Sequence, residues 1–395
     1  MNDRLRCLCR LEDLAPAAGL LAQTRRHLHR HPELSFHEVA TADLVAGRLQ
    51  AWGWEVTRGV GGHGVVGTLH QPGGSRRIAL RADMDALPIQ EATDRPWRSV
   101  HDGVMHACGH DGHTAMLLGA AQELARTRHF RGTVHLVFQP AEEAGAGSGA
   151  QRMIADGLFE RFPCDAIFGL HNTPGLAAGH FGFGHGAFMS ASDTVRITVH
   201  GRGGHAARPH QTVDPVLIAG SLVVALQSVV SRNVDPRQTA IVTVGALHAG
   251  SAANVIPDEA TMALSVRSFD PQVRELLEQR IRALVEAHVA GYGGQVTIDY
   301  ERGYPVVVNT VAETDFARSV AEELVGPERV VAPYPPVTGS EDFAYFLQHR
   351  PGCFFRLGNG EDGAMLHNPK YDFNDDILTT GAAYWTRLVQ RYLGN

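Results

Sequence analysis

The nine residues Met105–His113, Met-His-Ala-Cys-Gly-His-Asp-Gly-His, constrain the fold of this chain more than any other stretch. Cys108 and His110 sit two apart around a glycine, so a tight turn aims a thiolate and an imidazole at one point. His106, Asp111 and His113 flank them. A lone histidine is ordinarily a packed core residue. Such a density of donors between two glycines instead has the pattern of a metal or catalytic site. The segment is too short to complete a divalent site by itself, so the fold has to bring further ligands to it from distant parts of the chain.

The sequence around it supplies such an architecture. Leu14 to Gln50 reads as two helices broken at His31-Pro32-Glu33, with Ser35 capping the second and Glu38 completing a capping box. The period then shortens. Val65–Leu69 and Ile78–Leu80 are apolar runs between glycine-rich turns, as expected of strands. The second ends in Arg81-Ala-Asp-Met-Asp-Ala-Leu-Pro88, which puts acids where a buried strand ends, a natural functional position in an α/β sheet. Asp83 and Asp85 are equally readable as caps of the turn into Pro88. A helix from Thr114 to Arg126 follows the cysteine cluster. A strand from Thr133 to Phe138 then leads into Gln139-Pro-Ala-Glu-Glu-Ala-Gly145. Of two adjacent acids there, one suits metal ligation and its neighbour proton transfer, the bland alternative being a solvated acidic loop. The strand Ala166–Leu170 ends at His171. Three successive strands thus deliver Asp83/Asp85, Glu142/Glu143 and His171 to one side of a sheet.

The texture changes near Phe183. Strand, long amphipathic helix, two strands, helix and strand succeed one another up to Tyr300, the β-α-β-β-α-β order of a ferredoxin-like unit. At 395 residues two domains are expected. We therefore read an α/β class: a catalytic domain of residues 1–189 and 302–395, with a central mixed sheet between helices, interrupted by an inserted α+β domain of residues 190–301. After the insertion come Gly339-Ser-Glu-Asp-Phe343, a strand at Cys353–Leu357, Leu366-His367 and a terminal helix from Leu378 to Leu393.

Cys108, His110, one of Glu142/Glu143, His171 and His367 form a mixed N, O and S donor set. It suits Zn, Mn, Co or Ni rather than Mg or Ca. Five protein ligands exceed what one tetrahedral ion with an open position takes, and fit two ions with Cys108 bridging. The remaining Glu would take a proton from water and return it to a leaving group, which is hydrolytic chemistry, with Asp85 orienting a ligating histidine. A net charge of -7 with dispersed Lys and Arg argues against nucleic-acid or anionic-membrane surfaces. Five cysteines without regular spacing are no disulfide framework. Cys7 and Cys9 read as incidental thiols of an exposed, frayed terminus. With no signal-like N-terminus and no stretch read as long enough to span a membrane, the expected location is cytoplasmic.

The motifs Arg81–Pro88, Met105–Thr114, Gln139–Glu143, His171, Gly203-Gly-His-Ala206, Asn254-Val-Ile-Pro257, Gly339–Phe343 and Leu366-His367 run through nearly the whole chain. In that order they resemble the M20 metallopeptidase superfamily, in particular its amidohydrolase branch of hippurate hydrolases, N-acyl-amino-acid amidohydrolases and auxin-conjugate hydrolases. The resemblance implies Cys108, His110, Glu143, His171 and His367 as ligands of two divalent ions, with Glu142 as general acid/base. It makes the insertion a lid and dimerisation domain, from which His205 reaches the partner subunit's site to stabilise the oxyanion. It further implies Asn254 as a substrate-binding residue. Arg267 is a candidate for the substrate carboxylate, since guanidinium forks suit carboxylates. Asp83 stands where many M20 peptidases carry a metal-binding His and is excluded from the ligand set, while His106 and His113 are expected to support the ligands rather than bind. The implied reaction is hydrolysis of an N-acyl-amino acid by metal-bridged hydroxide. The alternatives are a dipeptidase or carboxypeptidase, and a catalytically inactive metal-dependent binding protein.

Overall fold

The computed structural model describes residues 8–394. They divide into two compact units: one comprises the chain up to Gly186, Val308–Pro335 and the chain from Asp342 onward, and the other Ala187–Val307 with Pro336–Glu341.

The first unit is built on an eight-stranded mixed sheet. Its strands lie in the order Glu55–Val60, Gly64–Gln71, Gly132–Gln139, Arg77–Asp83, Ala166–Pro174, Gly352–Gly360, Phe181–Gly182, Val330–Val331. The four strands from Gly132–Gln139 to Gly352–Gly360 are mutually parallel. They are buried almost throughout, which is why they read as apolar runs rather than alternating patterns. Parallel strands end on the same edge, so Asp83, Gln139 and the His171 end of Ala166–Pro174 emerge together. The helix His110–Thr127 packs against the terminal helix Leu378–Leu393, most of whose side chains are buried. Gly381 permits that approach, since a Cβ there would stand 2.0 Å from Met116 Sδ.

The second unit is a four-stranded antiparallel sheet ordered Ala240–Ala249, Glu259–Ser268, Ala191–His200, Gln295–Arg302, with the helices Pro215–Asn233 and Pro271–Gly291. In chain order this is strands 2-3-1-4, the ferredoxin-like arrangement. Both helices open on an Asp-Pro pair. Asp214 accepts from Val216 N and Leu217 N, Asp270 accepts from Gln272 N and Val273 N, and the following proline needs no partner for its nitrogen. Val195, Ile197, Ile218, Leu222, Met262, Leu277 and Ile281 belong to a separate apolar core.

Several local expectations are corrected. The helix after the cysteine cluster begins at His110, not Thr114. The strand Glu55–Val60, in which only Val60 is buried, gave no apolar signal. Ser35 caps nothing: Glu38 occupies the N-cap position of Val39–Ala51, and Ser35 Oγ donates to Asp85 Oδ2 at 2.7 Å. Cys9 is buried, its N–H donating to Gln390 Oε1 at 2.7 Å, and Cys7 lies outside the described residues. One helix, Pro215–Asn233, is by length and composition apolar enough to cross a membrane. The core helix of a soluble domain passes the same test. Ile218, Leu222, Leu226 and Val229 on that helix are buried, while Leu217 and Val224 are exposed.

Candidate metal centre

Gly109 sets the geometry of the turn. Its φ of 92° is left-handed, and a Cβ there would meet Asn172 Nδ2 at 2.1 Å and Tyr371 Oη at 2.6 Å. With glycine in place, Asn172 Nδ2 donates to Cys108 O at 2.7 Å and Tyr371 Oη donates to Asn172 Oδ1 at 2.7 Å, which clamps the turn. Cys108 and His110 consequently face the strand Ala166–Pro174 from the start of a buried helix.

The donor atoms converge. Cys108, His110 and His171 place one ligand atom each within 4.8 Å of one another. So do Cys108, Glu143 and His367, and likewise His110, Glu142 and Glu143. Cys108 Sγ lies 3.3 Å from His171 Nε2, and His367 Nε2 lies 3.1 Å from Glu143 Oε1. Each ring of the inner pair is turned by its other nitrogen: His110 Nδ1 is 2.9 Å from Asp85 O, and His171 Nδ1 is 2.6 Å from Asn172 O. That arrangement leaves Nε2 as the ligating atom. His110 Nε2 is buried and has no hydrogen-bond partner among the described residues. An orphaned imidazole nitrogen beside a thiol, two further imidazoles and a carboxylate fits a borderline divalent ion.

His113 differs. Its Nδ1 is 2.7 Å from Asp83 Oδ1, and its Nε2 accepts from Asn172 N at 3.0 Å, so both nitrogens are engaged. Asp83 also accepts from Arg81 Nη1 at 2.7 Å and lies 3.6 Å from His110 Nε2. Asp83, His110 and His113 are thus close enough to resemble a site, yet two of the three are consumed by their neighbours. His106 is buried with neither ring nitrogen hydrogen-bonded among the described residues, and burial pulls it down to about 4.

The donor groups are shifted in different directions by their surroundings. Burial, and then the Glu143 carboxylate, push the Cys108 thiol up. His110 is raised well above the ordinary histidine value: burial opposes its charge, but Asp83, Cys108 and Asp85 outweigh it. His367 is raised to about 10 by its hydrogen bonds to Cys108 and Glu143. His171 is driven the other way by burial and by His113 and Arg356, which keeps it neutral.

The two acids of Gln139–Gly145 follow Ala141, whose φ of 49° is left-handed, and form a single 3-10 turn. Asp85 holds that turn from below: Glu142 N donates to Oδ1 at 3.0 Å and Glu143 N to Oδ2 at 2.9 Å. His367 also has a left-handed φ, 62°, and its N–H donates to Ala107 O at 2.8 Å. Positive φ at residues other than glycine costs on the order of 1–3 kcal/mol and concentrates where function demands it.

The sequence left other motif residues without a role. Arg81 is buried and donates to Gln139 Oε1 at 2.8 Å, Asp83 Oδ2 at 2.7 Å and Asp342 Oδ1 at 3.1 Å. Gln139 Nε2 in turn donates to Asp342 Oδ2 at 2.8 Å. Asp111 binds His29, Nδ1 to Oδ2 at 2.9 Å, with Glu91 Oε1 3.4 Å from His29 Nε2. Burial resists charge on His29, but Asp111 and Glu91 carry it up to about 9, while Asp111 is lowered. His29→Gln therefore strands two buried acids and is expected to cost about 3 kcal/mol at pH 6. A raised histidine contributes fully below its ordinary 6.5 and loses its contribution as pH rises through about 9. The gap between the urea midpoints of wild type and variant should therefore shrink from pH 6.5 to 9.5, and a gap that widens over that range contradicts the pairing.

His205, Asn254 and Arg267 belong to the second unit. Gly204–His205 pairs with Val255–Ile256; His205 is exposed, with Nδ1 accepting from Ala207 N at 3.1 Å, and Asn254 O accepts from Ala206 N at 3.1 Å. Arg267 is half-buried and donates through Nη1 to Ser340 Oγ at 2.9 Å.

Residues 79–391 match peptidase family M20/M25/M40. The chain is 43% identical over 383 residues to the hippurate hydrolase of Campylobacter jejuni, covering 97% of this chain and 99% of that protein. It is 40% identical over 370 residues to the N-acetyl-L-cysteine deacetylase of Bacillus subtilis, covering 93% and 87%. A Bacillus subtilis crystal structure described as a dinuclear metal binding peptidase from the M20 family superposes with a TM-score of 0.82 at 34% identity, over 95% of this chain and 98% of that one.

Proposed function

The chain belongs to peptidase family M20/M25/M40, and from that premise we propose that it is a metal-dependent amidohydrolase that cleaves N-acyl-amino acids to a carboxylic acid and a free amino acid. The observation that supports this reading is the overlap of three donor groups, Cys108/His110/His171, Cys108/Glu143/His367 and His110/Glu142/Glu143. Cys108, His110, Glu143, His171 and His367 would hold two divalent ions, drawn from Mn, Zn, Co and Ni. Bound there, the ions would polarise the amide carbonyl and acidify water.

The protein's own residues do the rest. Glu142 takes the proton of the attacking water and returns it to the amine nitrogen as the C–N bond breaks, which balances the hydrolysis. Asp85 fixes Glu142 through its backbone and sets the tautomer of His110. His205 is assigned to the oxyanion, Asn254 to substrate binding, and Arg267 to the amino-acid carboxylate, where a guanidinium fork fits. We assign residues 190–301 to a lid and dimerisation domain. Exposed Leu217 and Val224 and the edge strand Ala240–Ala249 would supply the apolar face and open ladder of a homodimer. A cytoplasmic setting goes with this reading, in keeping with a free, buried cysteine among the ligands.

The test is amine release from a panel of N-acyl-amino acids and dipeptides, with chelated protein reloaded in parallel with Mn, Zn, Co or Ni. Chelation should abolish turnover, and at least one ion should restore hydrolysis of N-benzoyl- or N-acetyl-amino acids. Preference for dipeptides would move the protein to the peptidase alternative, and binding of acyl amino acids without turnover on any ion would mark it as a binding protein.

A further inference from the structure

The pair Ser35 and Glu38 has the pattern of a capping box, and a helix does begin at Val39, but the side chain of Glu38 is turned elsewhere. Glu38 is fully buried. Its Oε1 accepts from Phe36 N at 2.9 Å and, across 103 residues, from Ala141 N at 2.8 Å. Ala141 is the left-handed residue that immediately precedes Glu142, and its carbonyl accepts from Gly149 N at 2.9 Å. Asp85 takes the next two amides, Glu142 N and Glu143 N, and is itself bound by Ser35 Oγ at 2.7 Å. Three consecutive N–H groups of the turn therefore end on two buried carboxylates, one of which the Ser35–Glu38 strap supplies while it binds the other.

A left-handed peptide at a residue with a Cβ does not persist unless its surroundings determine it. Removing the acceptor for Ala141 N–H frees that peptide to rotate, and the rotation is passed directly to the Cα of Glu142. We propose that Glu38 is a positioning residue for the proposed reaction: by accepting the Ala141 amide it locks the turn that aims Glu142 and Glu143 into the centre. What matters is a correctly placed acceptor oxygen rather than a charge. Glu38 Oε2 has no hydrogen-bond partner among the described residues, which leaves the second oxygen without a stated duty. The inference rests on the function assigned to Glu142 above, and its test includes a readout that does not.

The decisive pair is Glu38→Gln, which keeps the acceptor and drops the charge, and Glu38→Asp, which keeps the charge and withdraws the acceptor by one methylene. In chelated full-length protein, backbone hydrogen exchange of the Ala141–Glu143 amides should rise about 10-fold or more in E38D and stay near wild type in E38Q. With ions restored, E38D should lose kcat by about 10-fold or more with KM little changed, while E38Q keeps most of its kcat. Equal exchange in wild type and E38D overturns the proposal, as does E38Q being the more impaired of the two. E38Q sheds a buried charge and should fold at least as well as wild type, so a loosened turn in E38Q alone is also fatal. If wild type cleaves no N-acyl-amino acid, the function assignment fails while the exchange result still decides the role of Glu38.

Discussion

Glu142→Gln lowers kcat for N-acyl-amino-acid hydrolysis by about 10²–10⁴-fold, the range lost when a positioned proton-transfer group is removed. Metal content should stay at the wild-type level. The substitution preserves shape and the backbone bond to Asp85, so the turn keeps its place. Its partner experiment is Glu143→Gln. Glu143 sits with Cys108 and His367 in one donor group and with His110 and Glu142 in another, whereas no group among the described residues joins Glu142 to Cys108, His171 or His367. Loss of an ion should therefore accompany E143Q and not E142Q, as read by elemental analysis after dialysis. The reverse pattern would exchange the roles of the two acids. Since the pair is adjacent and both carboxylates face the same donors, only the combination of rate and stoichiometry separates base from ligand.

The parts of this site that were legible in the sequence share a property: each is announced within a few residues. Cys108-Gly-His110 carries its own turn, and Glu142-Glu143 stands just past an apolar run, so parallel strands alone suffice to gather them. The β-α-β-β-α-β order within the second unit follows from the periods of its helices and strands, whereas Pro336–Glu341, which the sequence groups with the catalytic domain, clusters with that unit. What escaped depends on partners far along the chain. Ser35 and Glu38 satisfy the local rule for a capping box, yet their side chains bind Asp85 and Ala141. A buried acceptor satisfied by a distant amide leaves no local trace. The left-handed residues Ala141 and His367 are equally silent, as neither is glycine or asparagine. The strand Glu55–Val60 has only one fully buried residue, Val60, and so lacks the apolar run that marked the others. The roles of Arg81, Gln139 and Asp342 became visible only once three motifs far apart in the chain were seen to end on one another.

That network carries the largest stability effect we expect. Arg81→Met leaves the Asp83 and Asp342 carboxylates buried without their guanidinium, and breaking a buried pair in this way costs about 3–5 kcal/mol. Natural domains have only about 5–15 kcal/mol to lose, so the variant should unfold at markedly lower urea than wild type. Arg81→Lys is no remedy. A single ammonium cannot serve Gln139, Asp83 and Asp342 in the three directions that the fork now covers, so R81K should fall between wild type and R81M. The pH dependence identifies the cause. Burial already raises Asp342, and losing the adjacent positive charge raises it further. A carboxyl with a folded value above its unfolded one takes up protons on folding, so its penalty is present at neutral pH and eases as pH falls through the raised value. The deficit of R81M should consequently narrow between pH 7 and pH 5. A deficit that is constant with pH would mean that lost packing around the Arg81 stem, and not two stranded charges, is what the substitution removes.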